Sequence, residues 1–532
     1  MLATKSRRLK RFLEAGYLPK ELPPVFVSST FARNRKSLLA AWPNAHLDQW
    51  KSVPEPFSIP KAGHSRRTLS LLNPISHYKV AEIIAAEWTS IKRHIRTSRF
   101  TEFSPIIDFL GDRALVPPNH LELDKRRARI RAAHPRALYS DILRFYPSIY
   151  THSIPWAMHG KAWAKQNLNS AALRNSIGGR LDRAIRQAQD NQTIGIPIGP
   201  DTSRVVAELI AVAVDVRLAA DLPSAYGVRY VDDYFIGVKS GQSDDAVASL
   251  LGTALRHFEL DINSAKTSSD DAGQGERPSW ARRIQTVEFR HYRAELSLRD
   301  YFDEVVSLYC DGRQDAVVKY GVKRSRLFAI PEPAIPYYID RLTHLARICP
   351  ASLPAAVQTI LDRASRNRAI DYSHLRSFIV ELISEMAPLQ RAFEVVWLLF
   401  LARGLGLTLR RDELDPVFKM DSSPCALLVM DLDRIGLVDG GVEQRHWLSC
   451  ANNDGLAGPM WLLAYEAERK GWWDPAPNSY VSTHPLFGPM LARGISFYEE
   501  RRNVRTTQAE LLSLLLSRRR YNALFNDLED YL

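Results

Sequence analysis

Two adjacent carboxylates, Asp232 and Asp233, interrupt a run of apolar and β-favouring residues, Tyr226–Val238. The pattern predicts a short hairpin: strand Val228–Val231, a tight turn at Asp232-Asp233, and strand Tyr234–Val238. Neighbouring carboxylates repel, so a buried pair must shift its pKa or be neutralised. A divalent cation removes that penalty. Oxygen-rich sites of this kind suit magnesium, which also takes ligands from substrate phosphates. An Asp-Asp turn between strands is by itself also what an ordinary solvated turn contains. Other elements must therefore decide between the two readings.

Several such elements are present. Ala137–Tyr150 begins as a strand, carries Asp141 at the strand's end, and is stopped by Pro147. Residues Ser153–Trp156 then read as a helix start with proline in the first turn. Ala171–Ala188 is helical by composition. A loop, Asp190–Pro200, contains Gly195 and Gly199 and opens a helix from about Asp201 to Ala219, with Asp201 or Ser203 as cap. Val205, Leu209, Val212 and Val216 give that helix its apolar period. After the hairpin, an amphipathic helix Asp244–Phe258 leads to a segment that includes Lys266. Ser268–Pro278 reads as a flexible link and Thr286–Leu298 as a second hairpin. Upstream, Ser65–Pro74 reads as a strand led by Arg66 and Arg67, and Ala81–Arg96 as a helix. Basic runs at Lys92–Arg96 and Lys125–Arg131 suit phosphate contacts.

The 532 residues allow several domains, and 45% hydrophobic with 24% charged residues is an ordinary soluble composition. Lys plus Arg minus Asp plus Glu is 71 − 59 = +12, which favours a polyanionic partner, most simply nucleic acid. The cysteines, Cys310, Cys349, Cys425 and Cys450, lack CxxC spacing. No zinc site or disulfide framework is expected, and a reducing cytoplasm is the natural setting. Met1–Arg11 has no apolar segment and does not read as a secretory signal. The apolar run Val395–Ala402 is too short to span a bilayer, so no membrane association is expected. From about Asp300, helices follow one another with short Pro- or Gly-marked breaks: Ile335–Ile348, Ser352–Ser365, Ser373–Met386, Leu389–Arg403, Gly458–Lys470, Pro485–Glu500 and Thr507–Asp527. They suggest a HEAT-like stack, without a clear sequence period. Asp431-Leu432-Asp433 has no phosphate-binding features around it and reads as a loop or cap.

The order strand-Asp, Gly-loop-helix, Tyr-x-Asp-Asp hairpin, then Lys near a loop resembles the palm of a reverse transcriptase. Ser140–Tyr150, Gly195–Arg204 and Arg229–Asp233, with the opening Gly16-Tyr17-Leu18-Pro19 and Leu22-Pro23-Pro24, are similar to the bacterial abortive-infection reverse transcriptases of the AbiK-like group. The motif resemblance covers about residues 10–290. For residues 300–532 it is architectural only. It implies an α+β fold: fingers and palm over 1–290, with an antiparallel sheet and helices, then an all-α HEAT-like domain over 300–532 in place of a thumb.

The same resemblance implies a magnesium-dependent DNA polymerase acting in anti-phage defence, template-independent and primed on a protein hydroxyl. Two Mg2+ ions, replaceable by Mn2+, would be held by Asp141, Asp232 and the Ile142 carbonyl, with Asp233 as the nearby second acid. Tyr146 matches the aromatic steric gate against a ribose 2′-hydroxyl. Gly199 matches a glycine that lets the backbone approach template or nucleotide. The glutamine usual before it is here Ile198, which cannot hydrogen-bond near a template. Lys266 matches a lysine that neutralises leaving pyrophosphate, and Arg66 and Arg67 lie where fingers residues reach triphosphate. The implied partners are deoxynucleoside triphosphates, a single-stranded DNA product attached covalently to its primer, and further copies of the chain in a homo-oligomer. Tyr17 is one candidate for the priming hydroxyl, early in a Pro-rich segment. A templated reverse transcriptase of a retroelement or retron, and a non-catalytic nucleic-acid-binding scaffold, remain the alternatives.

Overall fold

The computed structural model describes residues 4–502, except 62, 64, 103–105, 118, 224–225, 272–278 and 367–368. The architecture is mixed α and β, mostly helical, with small sheets. Two compact units interleave in sequence. The first takes residues 1–18, 28–54 and 70–276; the second takes 19–27, 55–69 and 277–532.

A two-stranded sheet pairs β1 (Glu55–Pro60) with β2 (Arg66–Leu71). The first unit is built on a four-stranded antiparallel sheet of β3 (Arg136–Asp141), β4 (Gly227–Tyr230), β5 (Asp233–Val238) and β6 (Ser268–Asp271), in the order β4-β5-β3-β6. The strands form where β-branched and aromatic residues alternate. Register sets Tyr139 opposite Phe235 and Leu138 opposite Ile236. Period two then puts Ala137, Tyr139, Val228 and Phe235 on one face. The basic helix His120–Ala133 packs Leu123 and Ile130 against that face. Burying Val228 and Phe235 contributes about 1.5–3 kcal/mol each. The helix Asp244–Arg256 packs against β3, and the long helix Asp201–Asp221 packs against it in turn. Val205, Val206, Leu209, Ile210, Val212 and Val214 of the long helix are all fully buried.

The second unit is helical, with neighbours in sequence packed as neighbours in space. Ile335–Ile348 packs on Leu353–Ala364, Tyr372–Met386 on Ala392–Leu405, and Ala392–Leu405 on Ser423–Arg434. Val395, Val396, Leu398, Leu399 and Leu401 are buried all round Ala392–Leu405. No helix among the described residues is long and apolar enough to cross a membrane.

Several local expectations are corrected. Thr286–Leu298 is no hairpin: a helix ends at Thr286, and another begins at Ala294. Leu298, Tyr301, Phe302 and Val305 bury one helical face, so the 3.6 period outweighs the local strand signal. Ser268–Asp271, expected as link, pairs with β3 as strand β6. Ala81–Arg96 is two helices, Pro74–Ala86 and Trp88–Ile95, meeting at Glu87. Pro485–Glu500 is helical only at Gly488–Leu491. Gly494 turns the chain with φ +61°, and Tyr498 then bridges Phe26 as extended chain. Asp431 is not in a loop but on the buried face of Ser423–Arg434, accepting from Arg403 Nε at 2.6 Å and from the Tyr498 hydroxyl at 2.6 Å. The expected helix Thr507–Asp527 lies outside the described residues.

Candidate active site

The sheet order brings the distant acids together. β3 and β5 are antiparallel neighbours, and Asp141 is the register partner of Asp233. The Ile142 amide donates to the Asp232 carbonyl at 3.1 Å, which ties the end of β3 to the hairpin turn. Asp141 is only 5% exposed, and Asp232 and Asp233 are half-buried. Burial pushes the Asp233 carboxyl up to about 6, with Asp232 and Asp141 adding to the rise and Lys266 and Arg127 opposing it. Repulsion from Asp232 and Asp141 is thus felt at Asp233 despite the two cations.

Lys266 ends a short 3-10 turn, Ser264–Lys266, just before β6, and its ammonium is hydrogen-bonded and ion-paired to Asp141 Oδ2. That bond raises the Lys266 pKa against the opposing effect of burial. The donor chemistry of the cluster fits a divalent cation, since carboxylate oxygens are the ligands magnesium takes. Among the described residues no group of three or more His, Cys, Asp or Glu side chains is arranged to hold a metal ion. As placed, the Lys266 ammonium supplies the positive charge at Asp141.

The turn itself is strained. Val231 has φ +55°, a conformation that costs a β-branched residue about 1–3 kcal/mol. Its carbonyl accepts from Arg229 Nη1 at 2.8 Å. Arg229 is fully buried and also donates to Glu208 at 2.8 and 3.1 Å and to Asp215 at 2.8–3.0 Å, both on the long helix. The Tyr234 hydroxyl donates to Asp215 at 2.8 Å. Burial opposes the Arg229 charge, but Asp215 and Glu208 outweigh it and push its pKa further up. This network fastens the acid-bearing hairpin to the Asp201–Asp221 helix. Sequence reasoning passed over it. The available signal was Glu208 and Asp215 within the otherwise apolar stretch Val205–Val216, seven residues apart and so on one face.

The other expected site residues divide. Tyr146 is half-buried after β3, with its ring edge-on to the Phe145 ring at 5.7 Å. Burial raises its hydroxyl pKa, and Asp232 adds to that rise against Arg204, so the hydroxyl lies within electrostatic reach of the acid cluster. Gly199 has φ +127°, which favours glycine, and its carbonyl accepts from Arg113 at 2.8 Å. Arg113 also holds Asp201, at the start of the long helix, at 2.7 Å. Ile142 is buried and bridges Ile262. Arg66 and Arg67 belong to the second unit. The Arg66 guanidinium is committed to buried Glu394 at 2.7 and 2.9 Å and to Ser58, while Arg67 is exposed. Tyr17 is 1% exposed, donates its hydroxyl to the Leu72 carbonyl at 2.5 Å and stacks on His77 at 4.4 Å. As a priming candidate Tyr17 is therefore disfavoured: burial raises its pKa well above the ordinary value, and the hydroxyl is closed to substrate.

No family model and no curated protein matches the chain. Among solved structures, the chain is similar to the structure of telomerase from Candida albicans in complex with the TWJ fragment of telomeric RNA. The match has 10% identity, covers 77% of this chain and 68% of that one, and has a TM-score of 0.29.

Proposed function

We propose that this chain is a nucleotidyltransferase of the polymerase kind, a magnesium-dependent DNA polymerase with reverse-transcriptase chemistry. In this reading it extends DNA without copying a template, from a protein hydroxyl, in defence against phage. The observation that carries the chemistry is the register pairing of Asp141 with Asp233, with Asp232 beside them at the turn. The template-independent and defence parts rest on the sequence resemblance and on Ile198 in place of a template-facing glutamine. The second unit would replace a thumb, a reading supported by the sequential packing of its helices.

Divalent cations, when bound by Asp141 and Asp232, would neutralise the triphosphate and activate the attacking hydroxyl. The chain's own side chains do the rest. Lys266, whose ammonium is held by Asp141 with its pKa raised, would give its proton to departing pyrophosphate. The Tyr146 ring stands near Asp232 and excludes a ribose 2′-hydroxyl, which selects deoxynucleotides. The Arg229 network holds the strained turn so that Asp232 keeps its direction. The priming hydroxyl is on a side chain other than Tyr17.

The test is incorporation of labelled deoxynucleotides by the purified full chain with Mg2+ or Mn2+, followed by sequencing of the product. Incorporation by wild type and its loss in Asp232→Asn are expected, with a product unrelated to any co-purifying RNA. Undiminished incorporation by Asp232→Asn defeats the site assignment. A product complementary to a bound RNA replaces this reading with the templated one. No incorporation by wild type leaves a nucleic-acid-binding scaffold.

A further inference from the structure

The helix His120–Ala133 lies on the face of the sheet that also carries Asp141 and Asp233. Its run Lys125–Arg131 is the most basic segment near the acids. Two of its arginines turn onto the sheet. The Arg127 guanidinium lies over the Tyr139 ring at 5.4 Å and the Phe235 ring at 5.9 Å, and Arg131 lies over Phe235 at 5.0 Å. Tyr139 and Phe235 stand two residues along their strands from Asp141 and Asp233. One side-chain repeat, about 7 Å, therefore separates the stacked rings from the acid pair.

Arg127 differs from the neighbouring cations of its helix. Lys125 pairs with Glu122 at 2.7 Å, and Arg126 pairs with Glu102. Arg127 Nε is buried and has no hydrogen-bond partner among the described residues. Its charge nevertheless reaches Asp233, where it opposes the rise in that carboxyl's pKa. Arg127 is half-buried overall, with Nε turned inward while its stem packs on the sheet. Leaving a buried donor unpaired costs about 1–3 kcal/mol. A planar cation lying over two adjacent rings, its charge felt at Asp233, has the fork that suits a phosphate oxyanion.

We propose that Arg127 is a phosphate-binding residue of this site, taking an oxyanion of the nucleoside triphosphate or of the bound strand's backbone. For its ligand the inference rests on the polymerase reading above.

The test uses the full chain as wild type, Arg127→Met, which keeps an apolar stem over the rings, and Arg127→Lys. Binding of deoxythymidine triphosphate and of a fluorescein-labelled single-stranded DNA oligonucleotide is measured directly at two salt concentrations, with thermal midpoints alongside. Arg127→Met is expected to bind one probe about tenfold more weakly at an unchanged midpoint, and Arg127→Lys to recover part of the loss. Loss on the triphosphate arm assigns the nucleotide. Loss on the oligonucleotide arm, with a salt slope smaller by about one, assigns the backbone. If Arg127→Met fails to fold, Arg127→Lys is read by itself, with about threefold weaker binding of one probe expected from loss of the planar fork. Unchanged binding of both probes, or a wild type that binds neither, overturns the proposal. Normal incorporation with unaffected Arg127→Met binding removes Arg127 alone. Binding through Arg127 without any incorporation removes the polymerase reading alone.

Discussion

Two acid clusters meet at the same hairpin and are treated in opposite ways. Glu208 and Asp215 are buried, yet Arg229, Tyr234, Ser98 and Thr101 all donate to them. Asp141, Asp232 and Asp233 are less deeply buried as a group, and a partly exposed Lys266 is ion-paired to Asp141. In the first cluster the carboxylates are spent on holding the fold. In the second, repulsion among the acids persists and Asp233 is pushed up to about 6. Asp431 belongs with the first kind, closed by Arg403 and Tyr498. Carboxylate type and spacing therefore do not distinguish a functional acid from a structural one. Repulsion between neighbouring acids within reach of solvent does.

The contrast can be broken most severely at Arg229. Arg229→Met leaves Glu208 and Asp215 buried without their cation, and a loss of about 3–5 kcal/mol in urea unfolding is expected. A loss under 1 kcal/mol would mean that the network is not the fastening it is taken to be. Next in size is the response to cation. Saturating Mg2+, at about a hundred times its dissociation constant, should stabilise wild type by about 2.7 kcal/mol and leave Asp141→Asn unchanged. Equal stabilisation of both variants would put the ion elsewhere.

Asp233→Asn tests the repulsion directly. The folded value near 6 lies above the ordinary 3.8, so the native state holds the extra proton between about pH 4 and 6. Stability from this group is fully present below about pH 4 and declines as pH rises through 6. Asp233→Asn should therefore be more stable than wild type by about 1–2 kcal/mol at pH 7, after discounting for solvent, and no different at pH 4. A variant less stable than wild type at pH 7 would contradict that sign. The smallest effect belongs to Lys266→Met. Its ion pair is 58% exposed on the lysine side, so a change of about 1 kcal/mol or less is expected in thermal or urea unfolding. A larger loss would move Lys266 into the structural class with Arg229.

Much of the local structure was legible in the chain. The strand ending in Asp141 and the helix from Asp201 lie where alternation and the 3.6 period put them, whereas the hairpin is one residue out: its turn is Val231-Asp232, and Asp233, expected in the turn, opens β5 opposite Tyr230. Errors came where two periods competed, as at Thr286–Leu298, or where a glycine redirected the chain, as at Gly494. The fates of Arg66 and Tyr17 could not be read, because Glu394 and Leu72 are remote partners that no local pattern announces.

The sequence by itself determined that a strand ends in Asp141 and that a hairpin carries Asp232 and Asp233, to within one residue at the turn, since those follow from nearest-neighbour sterics and side-chain period. Only the tertiary structure decided that β5 lies between β4 and β3, and hence that Asp141 meets Asp233. It also decided which acids Arg229 and Arg403 hold and which stand close enough to repel one another. The reason is that burial makes a charge costly until it finds a counter-charge, and that counter-charge is set by contacts between segments far apart in the chain.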